Sequence, residues 1–98
     1  MAILIVMDWP GVTKEQYEAV RSDIDWVANP PAGGLLHVAA FADDGMHVVD
    51  LWDSPEQFQA FVDSKLGAAT GQAGITSQPN VQMFPTAYID QLGIKNLA

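Results

Sequence analysis

The sequence predicts one small α+β domain in which four strands and two helices run in the order βαββαβ. Three observations carry this expectation. Apolar, β-rich runs recur at 2–8, 35–42, 46–53 and 80–89. Two segments with helix-start chemistry and helical apolar spacing separate them. The strand runs are also apolar on both faces, which is unusual for an antiparallel sheet. Ninety-eight residues make one domain over 1–98, and 49% of them are hydrophobic. A chain this short hides only about two-thirds of its unfolded surface, so the composition already points to a partner surface.

The first run, Ala2 to Asp8, is apolar but lacks a basic leader and ends on a carboxylate, so it reads as a strand rather than a signal peptide. Trp9-Pro10-Gly11 breaks it. Thr13 and Gln16 then have the spacing of a capping box, with Val12 and Tyr17 placed for a hydrophobic staple. Tyr17, Val20, Ile24 and Val27 follow at helical spacing, and Asn29-Pro30-Pro31-Ala32-Gly33-Gly34 ends the helix in a loop. The second and third runs are joined by Asp44-Gly45, a two-residue hairpin signal. Ser54-Pro55-Glu56-Gln57 opens the second helix, with Ser at the N-cap and Pro at the first helical position. Phe58, Phe61, Val62, Leu66 and Ala69 form its buried face. Gly67 and Gly71 weaken its later turns by about 1 kcal/mol each relative to Ala, so a bend there and a stop at Gly74 are expected. Pro85 lies inside the fourth run, which confines that strand to an edge or a bulge. The tail from Gln91 carries no clear pattern. With right-handed crossovers, the order gives a ferredoxin-like four-stranded antiparallel sheet with both helices on one face.

Side chains alternate across a strand. Ile3, Ile5 and Met7 therefore oppose Leu4 and Val6; Val48 and Trp52 oppose Val49 and Leu51; Val81 and Met83 oppose Phe84 and Tyr88. Two helices cover one face only. The other would exceed the few hundred Å² of apolar patch that a monomer tolerates, so a homodimer joined sheet to sheet is expected.

Four basic residues (Lys14, Arg21, Lys65 and Lys95) stand against twelve acidic ones, a net charge of −8. Nucleic acid and anionic membranes need clustered cations, so neither is an expected partner, and a highly anionic substrate is disfavoured. No apolar run approaches the roughly 20 residues of a membrane helix. The absence of cysteine excludes disulfides, thiolate metal sites and thiol nucleophiles. A cytoplasmic location is the expectation.

The element order, the Pro10-Gly11-Val12-Thr13 entry to helix one, the Leu36-His37-Val38-Ala39 strand and the Val48-Val49-Asp50-Leu51-Trp52 strand leading into Ser54-Pro55-Glu56-Gln57-Phe58 carry a resemblance. The chain resembles the dimeric α+β barrel superfamily, in the group of antibiotic biosynthesis monooxygenase-like proteins, across nearly all its length. The resemblance implies two ferredoxin-like sheets closing a dimeric α+β barrel, and a ligand cavity within each subunit between sheet and helices. It leaves activity open, because the superfamily includes cofactor-independent quinol monooxygenases, haem-degrading enzymes, polyketide cyclases and lactone isomerases. Haem-degrading members hold iron through a helix histidine. Neither His37 nor His47 falls in a predicted helix, and no metal-ligand spacing exists, so no cofactor or metal is expected.

His37 is the leading candidate for chemistry, a lone polar side chain in the apolar run from Leu35 to Phe41. If Asp44-Gly45 are the two loop residues, His37 faces Trp52, Ala39 faces Asp50 and Phe41 faces Val48. Asp50 is then a diagonal neighbour of His37, about 7–8 Å away across the backbones. A His37–Asp50 pair would hold the imidazole in one tautomer, as a general base requires. Trp52, Phe41, Phe58 and Tyr88 are the candidate substrate-binding residues, with Trp9, Trp26, Phe61 and Phe84 as further possible wall residues. Helical and strand spacing favours core packing for most of these, and Trp52 is the best pocket candidate only through its register with His37. His47 sits by the turn, on the opposite face from Asp50, and reads as a solvated side chain.

Two functions stay open. In the first, a cofactor-free enzyme acts as oxygenase, cyclase or isomerase on an apolar or aromatic small molecule: His37 abstracts a proton beside Trp52 and, in a monooxygenase-like reaction, the anion meets dioxygen directly. In the second, a non-catalytic ligand-binding or assembly protein uses His37 and Asp50 only to satisfy one another in the core.

Overall fold

In the computed structural model, which describes residues 2–94, the elements are β1 (Ile3–Pro10), α1 (Lys14–Ile24), β2 (Gly34–Ala42), β3 (Gly45–Trp52), α2 (Pro55–Phe61), a π-helical turn (Val62–Leu66), α3 (Gly67–Gln72) and β4 (Asn80–Pro85). Lys95 and the remainder of the tail lie outside the described residues. The strands form an antiparallel sheet in the order β2-β3-β1-β4. The expected α+β, ferredoxin-like topology is therefore present. Among the described residues, no helix is long and apolar enough to cross a membrane.

Both helix starts follow from local chemistry. The Thr13 side chain accepts the Gln16 backbone N–H, and the Gln16 side chain accepts the Thr13 N–H, closing the capping box. Ser54 caps α2 through the Gln57 N–H, and Pro55 takes the first position, where no N–H is needed. Helix α1 ends earlier than the apolar spacing through Val27 implies. Asp25 adopts a left-handed conformation (φ 50°), donates its N–H to the Arg21 carbonyl, and accepts the Ala28 N–H on its carboxylate. An aspartate that closes its own turn competes successfully with the next helical turn. Val27 is left exposed. The second helix runs from α2 through the π-helical turn into α3, with helical backbone angles at both junctions. The π turn spaces Phe61 and Leu66 five residues apart on the same wall.

The β2–β3 hairpin is shifted by one residue on each side from the expected register. Ala42 pairs with Gly45, so Asp43 and Asp44 are the loop residues. Glycine is needed just after the turn: Gly45 has φ +137° and packs where a Cβ would strike the Trp9 carbonyl. His37 consequently pairs with Asp50, Ala39 with Val48, and Phe41 with Met46. The expected diagonal relation of His37 and Asp50 is corrected to a direct cross-strand pair. Strand β1 extends through Trp9 and Pro10 because Gly45 pairs with Pro10. Strand β4 is an edge strand that stops at Pro85, and Thr86 bonds back to the Ala2 carbonyl through both its N–H and its hydroxyl.

The helix-facing side of the sheet supplies Ile5, Met7, Trp9, Met46, Val48 and Trp52, which pack with Val12, Tyr17 and Phe58. Each such side chain, fully buried, contributes about 1.5–3 kcal/mol. The opposite side bears rows of cross-strand partners. One runs Leu36, Leu51, Leu4, Phe84, and the next Val38, Val49, Val6, Gln82. Val38, Val49 and Phe84 are exposed there. A third row holds Ala40, His47, Asp8 and Asn80. His47 is more engaged than a merely solvated side chain, bonding Asp8 through Nδ1 at 2.7 Å and Asp44 through Nε2 at 2.8 Å.

Candidate active site

The cross-strand pair of His37 and Asp50 lies on the covered face, on the rung that also carries Ile5 and Met83. A carboxylate in such a place is costly unless donors surround it. Asp50 is 5% exposed, and each of its oxygens has one donor. His37 Nδ1–H donates to Oδ1 at 2.6 Å, and Trp52 Nε1–H donates to Oδ2 at 3.1 Å. Trp52 stands two residues from Asp50, so strand alternation alone places both on one face. Its ring is fixed in turn by Phe58 (5.5 Å, edge-on) and Phe61 (5.5 Å). Because a carboxylate only accepts, His37 carries a proton on Nδ1, and in the neutral ring Nε2 offers its lone pair.

Tyr17 meets that lone pair. The capping box sets the phase of α1 so that Tyr17 and Val20 turn inward. The Tyr17 hydroxyl donates to His37 Nε2 at 2.5 Å. Burial pushes the Tyr17 phenol above its ordinary pKa, and the nearby Asp50 charge adds to this; the hydrogen bond and charge of Arg21 oppose it. Arg21 Nη1 donates to the same hydroxyl at 3.5 Å. Its guanidinium lies 5.2 Å from the Trp26 ring centroid and 5.9 Å from that of Tyr17. Trp26, carried back over the sheet by the left-handed turn at Asp25, stands edge-on to His37 at 5.1 Å. A continuous chain thus runs from Tyr17 through His37 and Asp50 to Trp52.

A cavity of about 460 Å³ opens beside this chain, between the sheet and the helices. Its polar wall includes Tyr17, Arg21, His37, Asp50 and Thr70. Trp52 and Phe58 line it, as do Trp9, Trp26 and Phe61. Phe41 lies outside the lining, edge-on to Tyr17 at 5.7 Å. Tyr88 follows the end of β4, is 88% exposed and does not line the cavity; Phe84 is on the opposite sheet face. The structure therefore gathers His37, Asp50, Trp52 and Phe58, and leaves Tyr88 out. Sequence reasoning passed over Tyr17 and Arg21. One signal was present: a tyrosine on a buried helix face needs a partner for its hydroxyl, and the facing apolar strand has one polar side chain, His37. Among the described residues, no group of three or more histidine or acidic side chains is arranged to hold a metal ion.

Solved structures share this architecture. A protein assigned as an antibiotic biosynthesis monooxygenase from Chloroflexus aurantiacus J-10-fl superposes with a TM-score of 0.65, at 17% identity, over 95% of this chain and 100% of that one. SnoaB, a cofactor-independent oxygenase from Streptomyces nogalater, gives 0.61 at 12% identity, over 90% and 94%. The chain has the antibiotic biosynthesis monooxygenase-like fold. A monooxygenase from Streptomyces coelicolor, the product of ActVA-Orf6 in complex with Nanaomycin D, adds a further example of the fold, at 0.52 and 18% identity over 93% and 92%. At these identities the likeness extends to the fold alone. No protein-family model matches the chain, and no curated protein matches it. In this instance of the antibiotic biosynthesis monooxygenase-like fold, the cavity and the hydrogen-bonded chain occupy the space between sheet and helices.

Proposed function

We propose that the protein is a cofactor-independent monooxygenase for an aromatic phenol or quinol, with His37 as the general base, working as a homodimer. The observation that supports it best is the Asp50–His37–Tyr17 chain, which ends at an apolar cavity of a size that suits a small organic ligand. A substrate hydroxyl that meets the Tyr17 oxygen passes its proton to it as Tyr17 passes its own to Nε2. The proton thus ends on His37, and Asp50 holds the resulting imidazolium. Tyr17 remains a neutral phenol, which suits its raised pKa. The substrate anion is electron-rich enough to react with dioxygen directly. One oxygen atom enters the ring and the other leaves as water with two hydrogens from the substrate, so a phenol and dioxygen give a quinone and water with no other reductant. The cofactor-independent oxygenase from Streptomyces nogalater, with the same fold, lends this chemistry precedent.

The test is aerobic turnover of polycyclic phenols and quinols without added cofactor, followed by oxygen consumption and quinone absorbance. The wild type is expected to turn over at least one, and His37→Ala to lower kcat by about 10²–10⁴-fold. A folded His37→Ala protein that matches the wild-type rate, or a wild type inert to the whole panel, overturns the reading.

A further inference from the structure

Among the described residues, the cavity wall contains one permanent cation, Arg21. In a chain with twelve acidic residues, Arg21 forms no ion pair among the described residues. It lies in the last turn of α1, lines the cavity and is exposed, so it stands at the mouth. Its guanidinium lies within cation–π reach of the Trp26 and Tyr17 rings, which hold it near the cavity. Of five N–H donors, one is directed at the Tyr17 hydroxyl. The remaining donors suit a carboxylate, which a guanidinium grips with two parallel bonds.

We infer that Arg21 is a specificity-determining residue that binds one carboxylate of the substrate at the cavity mouth, which makes the substrate a polycyclic phenol bearing a single carboxylic acid. The inference rests on the proposed reading of the same cavity. Because Nη1 lies 3.5 Å from the Tyr17 oxygen, carboxylate and phenol belong on neighbouring ring carbons: the carboxylate meets Arg21 while the hydroxyl meets Tyr17. One guanidinium balances one charge, so the acidic surface of the chain, which disfavours a highly anionic ligand, leaves a monoanion acceptable.

The experiment compares 2-naphthol with 3-hydroxy-2-naphthoate, binding being read from quenching of the three cavity tryptophans in the wild type, Arg21→Gln and Arg21→Lys. The acid is expected to bind the wild type about tenfold more tightly than the naphthol. Arg21→Gln should remove that preference, weakening the acid about tenfold more than the naphthol, and Arg21→Lys should keep part of it, since charge remains and the planar fork is lost. Equal affinities in the wild type, or a preference that survives Arg21→Gln, overturn the inference. Should Arg21→Gln fail to fold, salt decides: a wild-type preference that does not shrink between 20 mM and about 0.5 M salt also overturns it. Naphthol binding without a gain from the carboxylate sinks this inference alone. If neither compound binds, the aromatic-pocket reading falls and this one with it.

Discussion

At the scale of single residues, Asp50 is where the site is most sharply specified. Its two oxygens meet two donors, His37 Nδ1–H and Trp52 Nε1–H. Asp50→Asn keeps the shape and removes one acceptor. The amide then turns its own N–H toward one of those donors, or His37 moves its proton to Nε2 and loses the lone pair that Tyr17 now meets. The variant is expected to lose about 1–3 kcal/mol of stability through the unmatched buried donor, and kcat should fall by about 10²-fold or more. Denaturant melts and turnover on the same sample check both, and wild-type kcat in a folded Asp50→Asn protein would refute the base assignment. The polar members of the site differ in how legible they are in sequence. His37 and Asp50 stand out as polar residues in apolar strands. Their direct pairing depends on the hairpin register, which a single loop residue decides. Tyr17 is hidden because its ring obeys the helical core spacing while its hydroxyl does separate work. Trp26 is legible as a wall residue, but its place over His37 is not, because the turn that brings it there arises at Asp25.

At the scale of elements, the strand runs and helix starts were readable because each rests on local chemistry: alternation, Thr13 with Gln16, and Ser54 with Pro55. Element ends were not. Val27 continues the apolar spacing of α1, yet Asp25 closes the helix with its own carboxylate. In the hairpin, Asp43-Asp44 take the turn because Gly45 must accept the close approach of β1. That choice also brings His47 between Asp8 and Asp44, an arrangement with a signed pH consequence. Hydrogen bonds to Asp44 and Asp8 raise the His47 pKa above its ordinary 6.5, and the bond to His47 lowers that of Asp44 below 3.8. A raised histidine stabilises the fold fully below 6.5 and loses that contribution as pH rises through the folded value; a lowered aspartate contributes above 3.8 and loses it as pH falls through the folded value. The Tm advantage of the wild type over His47→Gln is therefore expected to be largest from about pH 4 to 6.5 and to shrink on either side. Melting curves across that range check it, and a difference that grows above neutral pH contradicts it.

At the scale of the whole molecule, one sheet has two apolar faces and one layer of helices. Helices and cavity account for the first face. On the second, the rows Leu36–Leu51–Leu4–Phe84 and Val38–Val49–Val6 present adjoining apolar side chains, and Val38 is 51% exposed, Val49 39% and Phe84 47%. These side chains adjoin rather than scatter, and the proposed second copy would cover them with the same surface through a two-fold axis. The polar row of Asp8 and His47 borders it and would set the register of one sheet on the other. Val49 is central, flanked by Val38 and Val6, so Val49→Glu places a charge in the middle of the proposed interface. In the isolated chain that side chain already faces water, and the substitution costs little in folding. The wild type is expected to sediment as two 10.6 kDa chains, about 21 kDa, at micromolar concentration. Val49→Glu should sediment as one chain with an unchanged far-ultraviolet spectrum. The covered face of the variant is intact, so its cavity should still bind 2-naphthol. A wild type that sediments at 10.6 kDa would remove the dimer and leave the second apolar face without an occupant.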